Sequence, residues 1–434
     1  MSERAEDRWD VHLNLNIRGL PSSATVALND LSNELLRSGR NIFKLGLGQS
    51  PFPVPEVVVE ALREHAAKKA YLPVKGLQEL REAVAEHHRG RLGIDCEPDD
   101  VLIGPGSKEL MFLLQLVYYG DLVIPAPAWV SYAPQARIIG RHIRLLSTFM
   151  EDDWHLTPEQ LEDLCKQDLG RPRILILNYP SNPTGRTISE ERLKAIAEVA
   201  RKHRVVLLSD EIYGLLHHEG THRSIVPMYP EGTIFSSGLS KWCGAGGWRL
   251  GVFVFPKRLR WLLDAMSAVA SETYTSTSAP IQYAAVRAFQ GGPDIEHYLQ
   301  QSRRVLHALG CAVTDRLRKT GAEVLAPHGA FYLFPDFSPL RDNLNARGIR
   351  TGPQMCQRLL AETGVAVLPG SNFGRPPDEF TARLAYVDFN GAEALRAVES
   401  IPMGQSIDEA FLREHCGRVM EAADRLCDWM ETTR

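Results

Sequence analysis

An α/β fold with a mostly parallel sheet and helices on both faces is the architecture that the sequence predicts. Between residues 100 and 255, short apolar runs alternate with helical patterns, which is typical of strands joined by crossover helices. Several of these runs end in turns rich in Gly, Pro or Asn, at the strand ends where open α/β sheets bind ligands. A chain of 434 residues also has room for a second domain.

The composition excludes several classes of protein. The formal net charge of −4 gives no general attraction to polyanions, so we expect no nucleic-acid partner. The seven cysteines include no Cys-x-x-Cys pair, which favours a reducing compartment over a disulfide framework or a metal site. Residues 1–8 are charged, unlike a secretory leader, and no apolar run is long enough to span a membrane. We therefore expect a cytoplasmic protein without a metal or a membrane partner.

The first part of the chain combines a helical pattern with an irregular loop. Ser22, Ser23 or Thr25 is placed to cap a helix whose apolar positions recur at helical spacing up to residue 36. The glycines and three prolines of residues 43–55 then exclude a regular helix. After a second helical pattern, Tyr71 precedes a turn. On these residues alone, Tyr71 is a half-buried tyrosine in that turn.

Two strands lead into candidate ligand-binding turns. The strand over residues 101–103 is followed by a Gly-Pro-Gly turn and by a helix that begins with Ser107 and Lys108. Such a helix N-terminus presents free N–H groups and the positive end of the helix dipole to an anion. The strand over residues 122–124 ends in a proline-rich turn before Trp129, in a ligand-facing position.

Two further strands carry polar residues at their carboxyl ends. Residues 174–177 run into the loop Asn-Tyr-Pro-Ser-Asn-Pro-Thr-Gly, which contains Asn182. A turn of this composition also forms for purely structural reasons. Residues 205–208 lead to Asp210, and Tyr213 follows three positions later. Asp210 therefore lies where a parallel sheet would present it to a ligand.

The residues around Lys241 carry the most specific chemistry. Residues 237–251 read Ser-Gly-Leu-Ser-Lys-Trp-Cys-Gly-Ala-Gly-Gly-Trp-Arg-Leu-Gly. An amine among such small residues can be partly desolvated, which lowers its pKa and frees its lone pair for attack on a carbonyl. The planar guanidinium of Arg249 can donate two parallel hydrogen bonds to a phosphate. The pattern predicts an imine between Lys241 and an aldehyde cofactor that carries a phosphate; the alternative is a surface lysine in a glycine-rich loop.

This stretch resembles the pyridoxal-phosphate attachment site of the class I aminotransferases, which are fold-type I transferases. The Asn-x-Pro-x-Asn-Pro-Thr-Gly loop is also characteristic of them, and the resemblance covers about residues 15–395. It implies a mostly parallel seven-stranded sheet in a large domain over residues 51–292. It also implies a small α+β domain, built from residues 1–50 and 293–434. The family forms homodimers with active sites at the subunit interface, so a homodimer is expected here.

For pyridoxal 5′-phosphate the resemblance implies a full set of contacts. Lys241 would hold the cofactor and move a proton, Asp210 would keep the pyridine nitrogen protonated, and Tyr213 would contact the phenolic oxygen. These three are the expected catalytic residues. Asn182 would also contact the phenolic oxygen, and Trp129 would stack on the ring. The phosphate would be bound by Ser107, Lys108, Ser240 and Arg249 of the same chain and by Tyr71 of the partner subunit. Gly238 stands where many relatives have a phosphate-binding serine, so Ser237 or Ser240 would substitute for it.

The resemblance also implies how the substrate is held. Arg383 and the backbone of Gly48 would bind the α-carboxylate, with Trp129 and Asn182 beside them. A pairing between arginine and the α-carboxylate suits every amino acid, so these residues do not select a side chain. Without the resemblance, Arg383 is an arginine on an edge strand.

Selection of the substrate side chain depends on a different set of residues. In one subgroup of aspartate aminotransferases, a Ser-Ala-Thr segment and a lysine hold the distal carboxylate, and Ser23, Thr25 and Lys108 match that set here. Residues 271–280 contain no arginine that could do so instead. We therefore expect aspartate or glutamate as the donor. The alternatives are that residues 23–25 only cap a helix and that Lys108 serves only the phosphate.

The implied activity is ping-pong transamination between an L-amino acid and a 2-oxo acid. The same cofactor site also supports lyases, synthases and oxidases, and an aminotransferase for aromatic or neutral amino acids is a further alternative. A regulator with an aminotransferase-like domain would need an N-terminal DNA-binding module. The first 40 residues leave no room for one, so we expect an enzyme.

Overall fold

The computed structural model describes residues 12–432; residues 1–11, with the charged start, and residues 433–434 lie outside it. Within this range the strands are β1 Phe43–Lys44, β2 Val101–Gly104, β3 Asp121–Ala126, β4 Ile143–Ser147, β5 Arg173–Asn178, β6 Val206–Asp210, β7 Thr233–Gly238, β8 Gly251–Val254, β9 Tyr332–Leu333, β10 Val365–Ala366, β11 Leu368–Pro369 and β12 Ala382–Ala385. The α-helices are α1 Ala24–Arg37, α2 Glu56–His65, α3 Gln78–Leu92, α4 Ser107–Val117, α5 Tyr132–Ile139, α6 Pro158–Gln167, α7 Glu190–His203, α8 Arg260–Glu272, α9 Ala279–Gln290, α10 Pro293–Lys319, α11 Arg341–Ala346, α12 Gly352–Thr363, α13 Gly391–Val398, α14 Glu409–His415 and α15 Gly417–Glu431.

Seven strands form the central sheet in the order β2-β8-β7-β6-β5-β3-β4. The strands from β7 to β4 are parallel, whereas β8 is antiparallel to both of its neighbours. The predicted mostly parallel seven-stranded sheet is thereby confirmed. Among the described helices, none is both long enough and apolar enough to cross a bilayer.

Helices cover both faces of this sheet, because neighbouring residues of a buried strand point in opposite directions. Ile174 and Ile176 of β5 pack in a cluster with side chains of α4 and α8. Leu175, between them, packs in a different cluster with side chains of α6 and α7. The two-sided burial explains why the strands read as continuous apolar runs.

Two small sheets lie against the C-terminal part of the chain. β1 pairs in parallel with β10, with Phe43 opposite Val365. β11, β12 and β9 form an antiparallel sheet in which Leu384 lies opposite Leu333. A segment from early in the chain is thus joined to strands more than 300 residues later. The division into domains at residues 50 and 292 stays a prediction.

Residues 410–430 have an apolar pattern that predicts one further C-terminal helix. That prediction is wrong, because the structure divides this stretch into two helices. α14 ends at His415 and α15 begins at Gly417. Cys416, between them, has the non-helical angles φ −125° and ψ 23°, and glycine is a poor helix former. The break lets both helices pack against α10, each with its own apolar face.

Candidate active site

The loops after β3, β5, β6 and β7 border a cavity of about 470 Å³. Loops at this end of a parallel sheet diverge from the strands and leave room for a ligand. Every residue predicted for the site lines the cavity except Ser23, Tyr71 and Ser237, which is one of the two alternatives for the phosphate contact. The predicted residues that line it are Thr25, Gly48, Ser107, Lys108, Trp129, Asn182, Asp210, Tyr213, Ser240, Lys241, Arg249 and Arg383.

Lys241 lies in the turn that follows β7. Its Nζ donates a hydrogen bond of 2.6 Å to the backbone oxygen of Gly48. Desolvation in the cavity, together with the positive charges of Arg383 and Arg249, lowers the pKa of the Lys241 amine to about 8. An appreciable fraction of this amine is therefore neutral, and nucleophilic, near neutral pH.

The glycines at positions 238 and 251 allow the close approach of β7, β8 and α4. A Cβ at Gly238 would lie 2.5 Å from the backbone oxygen of Leu250, and one at Gly251 would lie 2.1 Å from the backbone nitrogen of Ser107. A serine at position 238 would clash with this arrangement. Of the two expected substitutes, Ser240 lines the cavity and Ser237 does not.

Asp210 ends β6 and is buried at the floor of the cavity. Its Oδ2 accepts a hydrogen bond of 2.5 Å from the hydroxyl of Tyr132, while its Oδ1 is buried without a partner. Burial raises the pKa of Asp210 to about 6, although the bond from Tyr132 opposes that rise. The carboxylate is therefore mostly ionised at pH 7, with one oxygen available to a ligand N–H.

Tyr332 connects several of the predicted residues and was not itself predicted. Its hydroxyl lies 2.7 Å from the hydroxyl of Tyr213 and accepts a bond of 3.4 Å from the side-chain amide of Asn182. A Cβ at Gly48 would lie 1.9 Å from the same hydroxyl, so only glycine fits there. Tyr332 thus holds together segments that are more than 100 residues apart in sequence.

Arg383 is the most deeply buried cation at the cavity, with 1% of its surface exposed. Its guanidinium donates to the side-chain oxygen of Asn182 at 3.0 Å and to the backbone oxygen of Gly46, and lies 4.9 Å from the ring centres of Tyr332 and Phe373. No carboxylate of residues 12–432 forms an ion pair with it. Because a buried, unpaired charge is unfavourable, the guanidinium is a ready site for a ligand carboxylate.

Cations gather at the N-terminus of α4. Lys108 lies in its first turn, with Nζ 5.1 Å from the ring centre of Trp129. Arg249 reaches the same turn and donates to the backbone oxygen of Pro105 at 3.3 Å. Desolvation and the charge of Arg249 lower the pKa of Lys108. Free N–H groups, the helix dipole and two cations at one place form an anion-binding corner.

The structure does not bring Ser23 and Tyr71 into the cavity. Ser23 takes the N-cap position of α1, but its side chain makes no capping hydrogen bond, so the expected cap is absent. Its hydroxyl instead lies 3.0 Å from that of Thr25, which does line the cavity. The hydroxyl of Ser23 is therefore connected to the cavity through its contact with Thr25 and does not line the cavity itself. Tyr71 is 90% exposed, so within one chain it contacts neither the cavity nor the core.

Tyr132 and Tyr332 are two hydroxyl-bearing residues of the cavity that the sequence analysis missed. Tyr132 follows Trp129 by three positions and begins α5, so its place just after the predicted ligand-facing turn was a usable signal. Tyr332 lies in the strand that follows Gly329, but nothing near it in sequence indicates a polar partner. Both hydroxyls contact residues contributed by distant segments, so their roles are visible only after folding.

Comparison with known proteins identifies the family of this chain. The profile of the family described as "Aminotransferase class I and II" matches residues 40–401. The chain belongs to this family. As a member of the aminotransferase class I and II family, this protein is an enzyme that transfers amino groups with pyridoxal phosphate as its cofactor. The alternatives of a lyase, a synthase or an oxidase are thereby set aside.

Similar aminotransferases share most of the chain. The aspartate aminotransferase of Geobacillus stearothermophilus is 33% identical over 396 residues, which cover 88% of this chain and 95% of that protein. The aspartate/prephenate aminotransferase of Thermus thermophilus is 33% identical over 83% of this chain and 91% of its own length. The solved structure of the aspartate aminotransferase from Thermus thermophilus with maleate has a TM-score of 0.82 at 29% identity, with 96% of this chain and 100% of that chain covered.

Proposed function

We propose that the cavity residues hold pyridoxal phosphate in the orientation that the sequence predicted. Three features fit the group. Lys241 supplies an amine with a lowered pKa, and the buried Oδ1 of Asp210 lacks the N–H partner that a pyridinium would provide. The corner at Lys108 and Arg249 suits a phosphate. Trp129 would lie against the ring, while Tyr213 and Asn182 would contact its phenolic oxygen.

Bound pyridoxal phosphate supplies an aldehyde that captures amines and a ring that accepts the electron pair released at the substrate Cα. The residues of this chain would move the protons and orient the substrate. Nζ of Lys241, with a pKa of about 8, would take the proton from Cα and deliver it to the C4′ carbon of the cofactor, and it would reverse this transfer with the second substrate. The ionised Asp210, oriented by Tyr132, would hold a proton on the ring nitrogen. Arg383 and Gly48 would fix the α-carboxylate.

We further propose that the donor is an acidic amino acid, aspartate or glutamate, with oxaloacetate or 2-oxoglutarate as the acceptor. The observation that carries this proposal is a second cation in the cavity: Lys108 lines it together with Arg383 and the hydroxyl-bearing Thr25. Two separate cations suit a substrate with two carboxylates. The relatives named as aspartate aminotransferases, and the neighbouring structure determined with maleate, support the same substrate class.

Replacing Lys108 with alanine tests this proposal. We expect kcat/KM for aspartate to fall by about 1–3 kcal/mol, as expected for the loss of a charge-assisted bond, and kcat/KM for alanine to fall much less. The measurement is steady-state kinetics with both donors and with an aromatic donor, at saturating cofactor. Lys202→Ala is the control, because Lys202 is 64% exposed and pairs with Glu162 away from the cavity.

Equal losses for all donors would contradict the acidic-substrate proposal and assign Lys108 to the cofactor phosphate. The aminotransferase function would be unaffected by that result. A cofactor titration separates the two roles, since a lysine that serves the phosphate also sets the dissociation constant of pyridoxal phosphate. A preference for an aromatic donor in the wild-type enzyme would favour the alternative specificity.

The exposed position of Tyr71 supports a homodimer in which each active site takes one residue from its neighbour. The Tyr71 side chain is 90% exposed on a single chain, so its hydroxyl is free to reach a second copy. Sedimentation should therefore give a dimer, and Tyr71→Phe should weaken cofactor binding several-fold, which is the size of one hydrogen bond. Tyr119→Phe, at a tyrosine that is 83% exposed, is the control. A fully active monomer would contradict this arrangement.

A cytoplasmic location is proposed from the cysteines. All seven are free thiols, five of them buried, and none forms a disulfide. Proteins of oxidising compartments that carry several cysteines usually pair them, so the pattern is typical of a reducing compartment. Fractionation of cells with an antibody against the protein would test the proposal, and recovery from a secreted or periplasmic fraction would contradict it.

A further inference from the structure

A second cavity, of about 70 Å³, lies on the other side of the residues that carry the active site. Trp242 and Glu211, which directly follow Lys241 and Asp210, line it. His88 of α3 and Arg303 of α10 line it from the opposite side. At about 30 Å³ for each water-sized molecule, the volume is enough for roughly two of them. None of the functions assigned above uses this cavity.

Several buried nitrogens on the wall of this cavity have no hydrogen-bond partner. His88 is 2% exposed, and neither of its ring nitrogens is bonded. Trp242 is 1% exposed, and its Nε1 is unbonded as well. Nδ1 of His222 is a fourth such atom. Native proteins rarely leave buried polar atoms unpaired, so four of them on residues around one cavity indicate that it holds water or a small ion.

Three groups at the cavity offer N–H donors to a ligand, and two of these three have no acceptor atom. The indole N–H of Trp242 and the guanidinium of Arg303 have no acceptor atoms, and neutral His88 offers one further N–H. The carboxylate of Glu211 is not available as an acceptor. Its Oε1 accepts from Ser209 at 2.7 Å and from the hydroxyls of Tyr179 and Ser224, and its Oε2 accepts from His222 at 2.6 Å.

One positive charge at the cavity has no counter-ion among the described residues, 12–432. Arg91 is paired with Glu296, but Arg303 forms no ion pair with any carboxylate of residues 12–432. The hydrogen bond recorded for its side chain runs from Nε to the backbone oxygen of Leu215 at 2.8 Å. Burial and the charge of Arg91 lower the pKa of Arg303 to about 10. A half-buried cation with spare donors needs one negative charge nearby.

We propose that this cavity is a binding site for a monovalent inorganic anion of the size of chloride or bromide. The anion accepts hydrogen bonds from the Trp242 indole and from His88, and it balances the charge of Arg303. The remaining volume holds one water for Nδ1 of His222. The anion exchanges with solvent past Arg91, a lining residue that has 29% of its side chain exposed. The bound anion fixes Trp242, which adjoins Lys241.

Bromide locates this site directly in the wild-type holoenzyme. Crystals are grown without halide and soaked in sodium bromide, and diffraction is measured at the bromine absorption edge. We expect an anomalous peak between the Trp242 indole nitrogen and the Arg303 guanidinium. Density in the cavity without anomalous signal would mean water only and would overturn the proposal. The soak needs no variant, so it decides the question even if an altered protein fails to fold.

Thermal unfolding gives a second, independent readout. The Tm of the wild-type holoenzyme should be higher by about 2 °C or more in sodium bromide than in sodium gluconate at equal ionic strength, because gluconate is too large for the cavity. Arg303→Gln should lose this difference. Arg304→Gln should keep it, because the guanidinium of Arg304 is bonded to backbone oxygens of residues 401–405 instead. Equal differences in all three proteins would overturn the proposal as a general salt effect.

Discussion

Lys241→Ala is expected to lose transamination by about four orders of magnitude or more, because one side chain serves both as the attachment point and as the proton carrier. No second amine replaces it by simple rotation, since Lys108 is held at the N-terminus of α4 beside Trp129. The measurement is a single-turnover reaction with each donor, so that slow cofactor exchange does not conceal the chemical step. Far-ultraviolet circular dichroism should show an unchanged fold.

Borohydride reduction provides the complementary measurement for Lys241. Treatment of the wild-type holoenzyme should attach the cofactor covalently to a peptide that contains Lys241, which mass spectrometry identifies. The same treatment of Lys241→Ala should label nothing. Lys108→Ala is the matched control, because it removes the other cavity lysine and should still label Lys241. A label on any other lysine of the wild-type protein would contradict the assignment.

Asp210→Asn is expected to slow the reaction by about a thousandfold or more, a loss of several kcal/mol of transition-state stabilisation. Asparagine keeps the shape and the bond with Tyr132 but removes the negative charge that holds a proton on the ring nitrogen. The cofactor should remain bound, and its absorbance spectrum should change because the ring nitrogen loses its proton. A decrease smaller than tenfold would contradict this role.

Tyr132→Phe is the matched control for Asp210, because it leaves the carboxylate and removes only the hydroxyl bonded to Oδ2. That bond lowers the pKa of Asp210, which is about 6 in the intact site. Without it the pKa should rise, so more of the carboxyl group is protonated near neutral pH. The acidic limb of the pH–rate profile should therefore move to higher pH, with a much smaller loss at its optimum than in Asp210→Asn.

Much of the fold could be predicted because its signals are local. The strands of the central sheet, except the partly exposed edge strand β4, are buried on both faces, so each of them reads as an apolar run. The helix patterns between the parallel strands mark crossovers. The residues at strand ends were found for the same reason, since Asn182, Asp210 and Lys241 lie in short turns whose position follows from the strand before them. The division of the C-terminal helix at Cys416 was missed because a glycine in a helical pattern is usually tolerated.

By itself the sequence therefore determined the sheet, the cofactor motif around Lys241 and the residue types at the strand ends. The tertiary structure decided which distant segments meet there. Tyr332 bonds to Tyr213 across more than 100 residues, and Ser23, although part of the predicted substrate set, lies outside the cavity. The physical reason is that strands, turns and helix ends depend on neighbouring residues along the chain. The convergence of side chains on one cavity depends instead on how whole helices and sheets pack, which no single stretch of sequence records.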